Sequence, residues 1–273
     1  MRLFLLLLSL TVHTQPARWV VCYSAEVRVE AFAAYDLVVL DDRYHPPLAP
    51  LLAAGKDVYG YLSLGEVEER QPYFAAVQHE GLLRGENPNW KGSFFVDWRD
   101  PRWERRVLNQ LVPAILQQGF GGLMLDTVDN AEYLESIDPV RNRGMKDAAL
   151  RLIREIRRNY PAVRIILNRG FFLLDEAAPS IQYVLAESVL SRYDFANRTY
   201  IQAAKSEYQA AVELLQSIRQ KHPSLGVLTL DYWWPNETRK VQAIYDLERR
   251  NGFVPYVSTI ELDRVINEPG RRP

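Results

Sequence analysis

A (β/α)8 barrel is the fold this sequence predicts, and three observations predict it. Short apolar runs recur eight times between Arg18 and Ser258, with helical patterns between them. Strands alternating with helices of this length make βαβ units and a parallel sheet. Eight such units in about 250 residues make a TIM barrel. Several runs also stop at an acid or an amide, as strands do where an α/β barrel keeps its chemistry. The alternative is an open doubly wound sheet. No G-x-G-x-x-G follows the first run, so the dinucleotide fingerprint of that alternative is missing.

Taken in order, Met1-Arg2 precedes a leucine-rich run, Leu3 to Val12. Its length and the polar residues after it predict a signal peptide over residues 1–17 and a secreted or periplasmic protein. The barrel is expected over residues 18–268, as a single domain, and residues 269–273 as a loose tail. Its eight runs are Arg18–Ser24, Asp36–Leu40, Asp57–Leu64, Gly122–Asp126, Arg164–Asn168, Ile181–Glu187, Leu225–Asp231 and Gly252–Ser258. Pro255 weakens the last, because proline cannot donate to a ladder. The clearest amphipathic patterns are Arg143–Tyr160 and Thr199–His222. Asp100 is placed to cap a helix from Pro101 to Gln118, and Pro113 should kink it.

Glu66 to Trp90 breaks the alternation. It is long, polar and dotted with aromatics, and Ser93 to Trp98 after it reads as an extra strand. Long connections inside a compact domain are usually either functional or disordered. This one leaves the third strand at Glu66, so an extended insertion is expected over the barrel mouth, as a mobile lid or binding loop.

The 33 Lys and Arg balance 34 Asp and Glu, which leaves no basic surplus for nucleic acid. No later segment has the roughly 20 apolar residues of a membrane span. Cys22 is the single cysteine and reads as a small buried hydrophobe. No H-E-x-x-H and no G-x-S-x-G occurs, so neither a zinc site nor an esterase serine is signalled. No cofactor or metal is called for. A magnesium site on Asp41, Asp42 and Glu66 is a lesser alternative.

Acids and amides gather at one set of strand ends: Asp41, Asp42, Glu66, Asp126, Asp129, Asn168, Glu187 and Asp231. Two carboxylates suffice for glycosidic cleavage, one to protonate the leaving oxygen and one to attack or to activate water. Alternate barrel strands contribute to the same interior layer. Asp126 and Glu187, on the fourth and sixth runs, are therefore the catalytic candidates. Glu187 has apolar sequence neighbours and is expected to be the acid. Asp126 has polar ones and is expected to be the nucleophile or base. Tyr23, Asp41, Tyr61, Glu66, Asp129, Asn168, Asp231 and Tyr232 are the candidate substrate contacts. Aromatic faces with a polar handle suit sugars, and Tyr73, Trp90, Trp98, Trp233 and Trp234 also fall near this rim. A non-catalytic carbohydrate-binding barrel, accessory to exopolysaccharide handling, is the alternative function.

The stretches YLSLGEVEER (61–70), WKGSFFVDWRDPRW (90–103), GFGGLMLDTVDN (119–130), NRG (168–170) and VLAES (184–188) make the chain resemble glycoside hydrolase family 114, in its subgroup of exported (β/α)8 glycosidases. Gly122 stands where that family usually has a larger or acidic residue. The resemblance implies an endo-acting α-1,4-polygalactosaminidase, with the family's two acidic residues at Asp126 and Glu187 and a retaining outcome. A polysaccharide or oligosaccharide is then the expected partner.

Overall fold

The computed structural model describes residues 16–271. The expected signal peptide lies almost wholly outside them, as does the end of the tail. Eight parallel strands run β1 (Trp19–Cys22), β2 (Leu37–Leu40), β3 (Asp57–Ser63), β4 (Gly122–Asp126), β5 (Arg164–Asn168), β6 (Tyr183–Glu187), β7 (Gly226–Tyr232) and β8 (Val254–Ser258). They pair in sequence order, each of the eight expected runs supplying one strand. The result is a nearly closed barrel. Its seam, between β1 and β8, is bridged by the Trp19 indole, which donates to the Val254 carbonyl at 2.8 Å. At the mouth the Tyr23 amide donates to the Leu262 carbonyl at 2.7 Å. Pro255 is tolerated in β8 because this strand stands at the seam, where one edge has no ladder to interrupt.

The barrel strands are almost wholly buried, as strands covered on both faces must be. The helix Met145–Asn159 turns Met145, Ala148, Ala149, Leu152, Ile153 and Ile156 inward. That spacing of three and four residues makes one face, and each large side chain so buried contributes about 1.5–3 kcal/mol. At the N-terminal end of the barrel, Tyr59 and Tyr183 fill the interior edge to face, 6.5 Å apart. A Cβ on Gly122 would run into the Tyr59 ring, and one on Gly226 into the Tyr183 ring. Glycine at 122 is thus the complement of a large neighbour.

The insertion after β3 is more ordered than a polar loop. Strands Glu66–Glu68, Leu83–Glu86 and Ser93–Val96 form a small antiparallel sheet, with Ser93–Val96 in the middle. The helix Phe74–His79 lies within it. Asp100 caps the following helix by accepting from the Arg102 amide at 2.8 Å. That helix passes through a π turn over Val107–Leu111 just before Pro113. The wider turn accommodates the hydrogen bond that proline cannot donate. The expected helix from Thr199 begins only at Lys205. Thr199–Gln202 instead pairs with Ser191–Asp194 as a hairpin, in keeping with its β-branched and aromatic residues. Among the described residues no helix is long and apolar enough to cross a membrane.

Candidate active site

β4, β5 and β6 end in Asp126, Asn168 and Glu187, and these three side chains meet. The single amide nitrogen of Asn168 donates to Asp126 Oδ1 and to Glu187 Oε2, each at 2.7 Å. Two bonds of that length to one nitrogen hold the accepting oxygens within about 5.4 Å of each other. The Tyr232 hydroxyl donates to Glu187 Oε1 at 2.7 Å. Tyr23 and Tyr61 pack edge to face, 5.2 Å apart. Burial, and then the charge of Asp126, push both phenols well above their ordinary range. Burial, and then the charge of Glu187, do the same to Tyr232. Three neutral hydroxyls therefore face two carboxylates.

Burial, and then the charge of Glu187, push Asp126 up to about 7. The hydrogen bond from Asn168 pulls the other way. Asp126's polar sequence neighbours are turned elsewhere: Asp129 pairs with Arg169 at 2.9 Å, and Thr127 Oγ1 accepts from the Gly65 amide at 2.7 Å. Glu187 has an apolar sequence frame yet receives Asn168 and Tyr232.

The chain turns sharply after each of the three strands. Thr127, Arg169 and Ser188, the residues following Asp126, Asn168 and Glu187, have φ of 61°, 54° and 62°. Non-glycine residues enter this left-handed region at a cost, and they cluster at functional sites. Each is held. Besides Gly65, Thr127 Oγ1 engages Ser63 Oγ at 3.0 Å. The Arg169 amide donates to the Leu185 carbonyl at 2.9 Å, and the Ser188 amide to the Leu230 carbonyl at 2.8 Å.

The remaining candidates divide. Asp41 accepts from the amides of Arg43 and Tyr44 at 2.8 and 2.7 Å and shapes its own turn. Beside it burial, and then the charge of Asp41, raise Asp42 to about 6. Glu66 is 7% exposed. It receives Asn87 Nδ2 at 2.7 Å, Asn130 Nδ2 at 2.6 Å and the Ser93 hydroxyl. It pins the insertion to the helix after β4, while lining a recess with Asp42, Tyr61, Ser63, Glu68 and Tyr73. Asp129 stays on the rim within its ion pair. Asp231 does not join the group. It is fully buried and accepts from the amides of Leu190 and Ser191 at 2.9 and 2.7 Å. Side chains alternate along a strand, so with Tyr232 turned into the barrel Asp231 faces the helical layer.

A profile of glycoside-hydrolase family GH114 matches residues 9–271. This chain belongs to that family. It is a glycoside hydrolase, and its two rim carboxylates stand on the barrel of one. The glycoside hydrolase domain of PelA from Pseudomonas aeruginosa superposes with a TM-score of 0.80 at 25% identity, over 93% of this chain and 99% of that one. Ega3 of Aspergillus fumigatus, solved in complex with galactosamine, shares the fold with a TM-score of 0.70 at 15% identity, over 94% and 98% of the two chains. An uncharacterised protein of Deinococcus radiodurans is 28% identical over 248 residues, 86% of this chain and 77% of that one.

Proposed function

We propose that this member of GH114 is a secreted hydrolase that cleaves α-linked galactosamine-type polysaccharide with Asp126 and Glu187, retaining the anomeric configuration. The observation that carries the mechanism is the Asn168 amide bonded to both carboxylates. Retaining enzymes keep their carboxyl groups about 5–5.5 Å apart, and inverting ones about 6.5–9.5 Å, to make room for water. A shared amide keeps the two accepting oxygens within about 5.4 Å of each other, which supports the first class. The ionised carboxylate attacks the anomeric carbon while the other group, as the carboxylic acid, protonates the leaving oxygen and becomes a carboxylate. Water then releases the sugar, with the second carboxyl acting as base.

The pair needs one proton to start. In the free protein burial, and then the charge of Glu187, favour the protonated form of Asp126. An ammonium on the bound sugar would favour the ionised form of a nearby carboxylate, so a deacetylated substrate would prepare Asp126 for attack. The galactosamine bound to Ega3, the likeness to PelA and the family match support the substrate class. Export rests on the apolar run Leu3–Val12.

The test is digestion of α-1,4-linked galactosamine, N-acetylgalactosamine and galactose polymers, with products read by mass and by anomeric configuration. Shortened amino-sugar chains of retained configuration are expected. Asp126→Asn and Glu187→Gln should each lower turnover at least about a hundredfold. Full activity in either variant removes that residue from the mechanism, and inverted product removes the retaining step.

A further inference from the structure

We propose that Trp90, Phe195, Tyr193, Tyr200 and Trp234 form a binding platform for sugar units beyond the bond that is cut. The inference rests on the glycosidase reading above and adds a site that the catalytic pair does not include. The five rings touch in succession. Trp90 meets Phe195 at 5.2 Å, Phe195 meets Tyr193 at 5.1 Å, Tyr193 meets Tyr200 at 5.3 Å and Tyr200 meets Trp234 at 4.6 Å. Each step is an ordinary edge-to-face aromatic contact.

The rings come from three connections, and each connection starts at a residue of the site or its support. Trp90 lies in the insertion, three residues beyond Asn87, which is bonded to Glu66. The hairpin bearing Tyr193, Phe195 and Tyr200 opens four residues after Glu187. Trp234 follows Tyr232 by two. All three connections leave the C-terminal ends of barrel strands that carry site residues.

Packing of the hairpin does not account for what is left in water. Tyr200 is 6% exposed, and its hydroxyl accepts from the Ile260 amide at 3.1 Å, so it anchors the run. Trp90, Phe195 and Trp234 are 50%, 40% and 40% exposed. Large apolar rings grouped at a rim mark a surface that a partner covers. Exposed aromatic faces suit the C–H faces of a sugar chain, and a chain crossing the mouth would meet Trp90, Phe195 and Trp234, which Tyr193 and Tyr200 link.

The test compares long and short substrates in the whole protein. With the α-1,4-galactosamine polymer, Trp90→Ala, Phe195→Ala and Trp234→Ala should each raise KM and lower kcat/KM about tenfold, the loss of one good aromatic contact. On a trimer of the same sugar, kcat/KM should stay within about twofold of the parent chain. Equal losses on polymer and trimer, or no loss on polymer, overturn the platform while leaving the catalytic reading intact. If the parent chain cleaves no galactosamine polymer, that reading fails instead. The platform is then judged by calorimetry on the Asp126→Asn variant, titrated with galactosamine, N-acetylgalactosamine and galactose oligomers of increasing length. Affinity that rises with length, and that Trp90→Ala flattens, supports the platform. Affinity independent of length, or no binding, overturns it.

Discussion

An amide held between two carboxylates has one sensible orientation, with its nitrogen toward both. Asn168 adopts it, at the expense of leaving its buried Oδ1 without a hydrogen-bond partner among the described residues. A buried unpaired carbonyl is costly, and the cost secures the spacing and the ionisation of the pair. Asn168 lowers the Asp126 pKa against the larger effects of burial and Glu187. Since the pair works with one proton, kcat/KM should fall as pH rises above about 7. Asn168→Ala removes a donor that favours the charged form, so the alkaline limb should move to higher pH. The plateau should drop at least about tenfold, from the loss of bonds to charged acceptors. The pH–rate profile decides this. A lower plateau with an unmoved limb would make Asn168 a substrate contact only. At this scale, residue type and strand position gave away Asp126, Asn168 and Glu187. The raised pKa of Asp126 was not legible, because it depends on burial and on where Asp129 and Thr127 point. Nor were the left-handed turns at Thr127, Arg169 and Ser188, since none of these residues advertises that conformation.

Among the elements, the insertion after β3 departs most from its expected form. Its length and polarity read as a loop. Its buried Val67, Val77, Leu82, Phe95 and Val96 give it a core, and Glu66 ties that core to the barrel. The sequence signal was present in Ser93–Val96 but had no visible partners, since the antiparallel pairing joins residues as far as 29 apart, as in Glu66 with Phe95. Glu66→Ala should leave the donors of Asn87, Asn130 and Ser93 unpaired, at about 1–3 kcal/mol for each buried group that finds no water. The expected result is faster limited proteolysis within residues 67–92 while barrel circular dichroism is kept. Unchanged cleavage there would mean that the apolar core alone fixes the insertion. The same scale explains Asp231. Its strand end made it a rim candidate together with Tyr232, yet the two-residue period allows only one of such neighbours to face inward. Alternation, applied to β7, separates them.

For the molecule as a whole, strand number, direction and order were legible because βαβ units with one apolar run each leave little topological choice. What lay between barrel and helices was hidden, and it sets the response to alkali. Asp231 on β7 and Glu248 on the last long helix, Thr238–Arg250, are both fully buried. Burial raises Asp231 to about 7. Burial, and then the charge of Asp231, raise Glu248 to about 8. Asp126 and Asp42 are raised as well, to about 7 and about 6. Below pH of about 4 these groups are protonated in folded and unfolded chains alike. Above it the unfolded chain releases protons that the folded one keeps, so stability falls as pH rises, until the folded groups ionise near 7 to 8. Asp97 runs the opposite way, held at about 2 by Arg99 and Arg84 against its burial, so its contribution is lost only in strong acid. The melting temperature should therefore decline between pH 5 and pH 9. Glu248→Gln keeps the shape and removes the charge. It should melt close to the parent chain at pH 5 and above it at pH 9, as followed by thermal denaturation in matched ionic strength. A variant that loses the same number of degrees at both pH values would show that Glu248 acts through packing, and the alkaline decline would then have to come from the other buried acids.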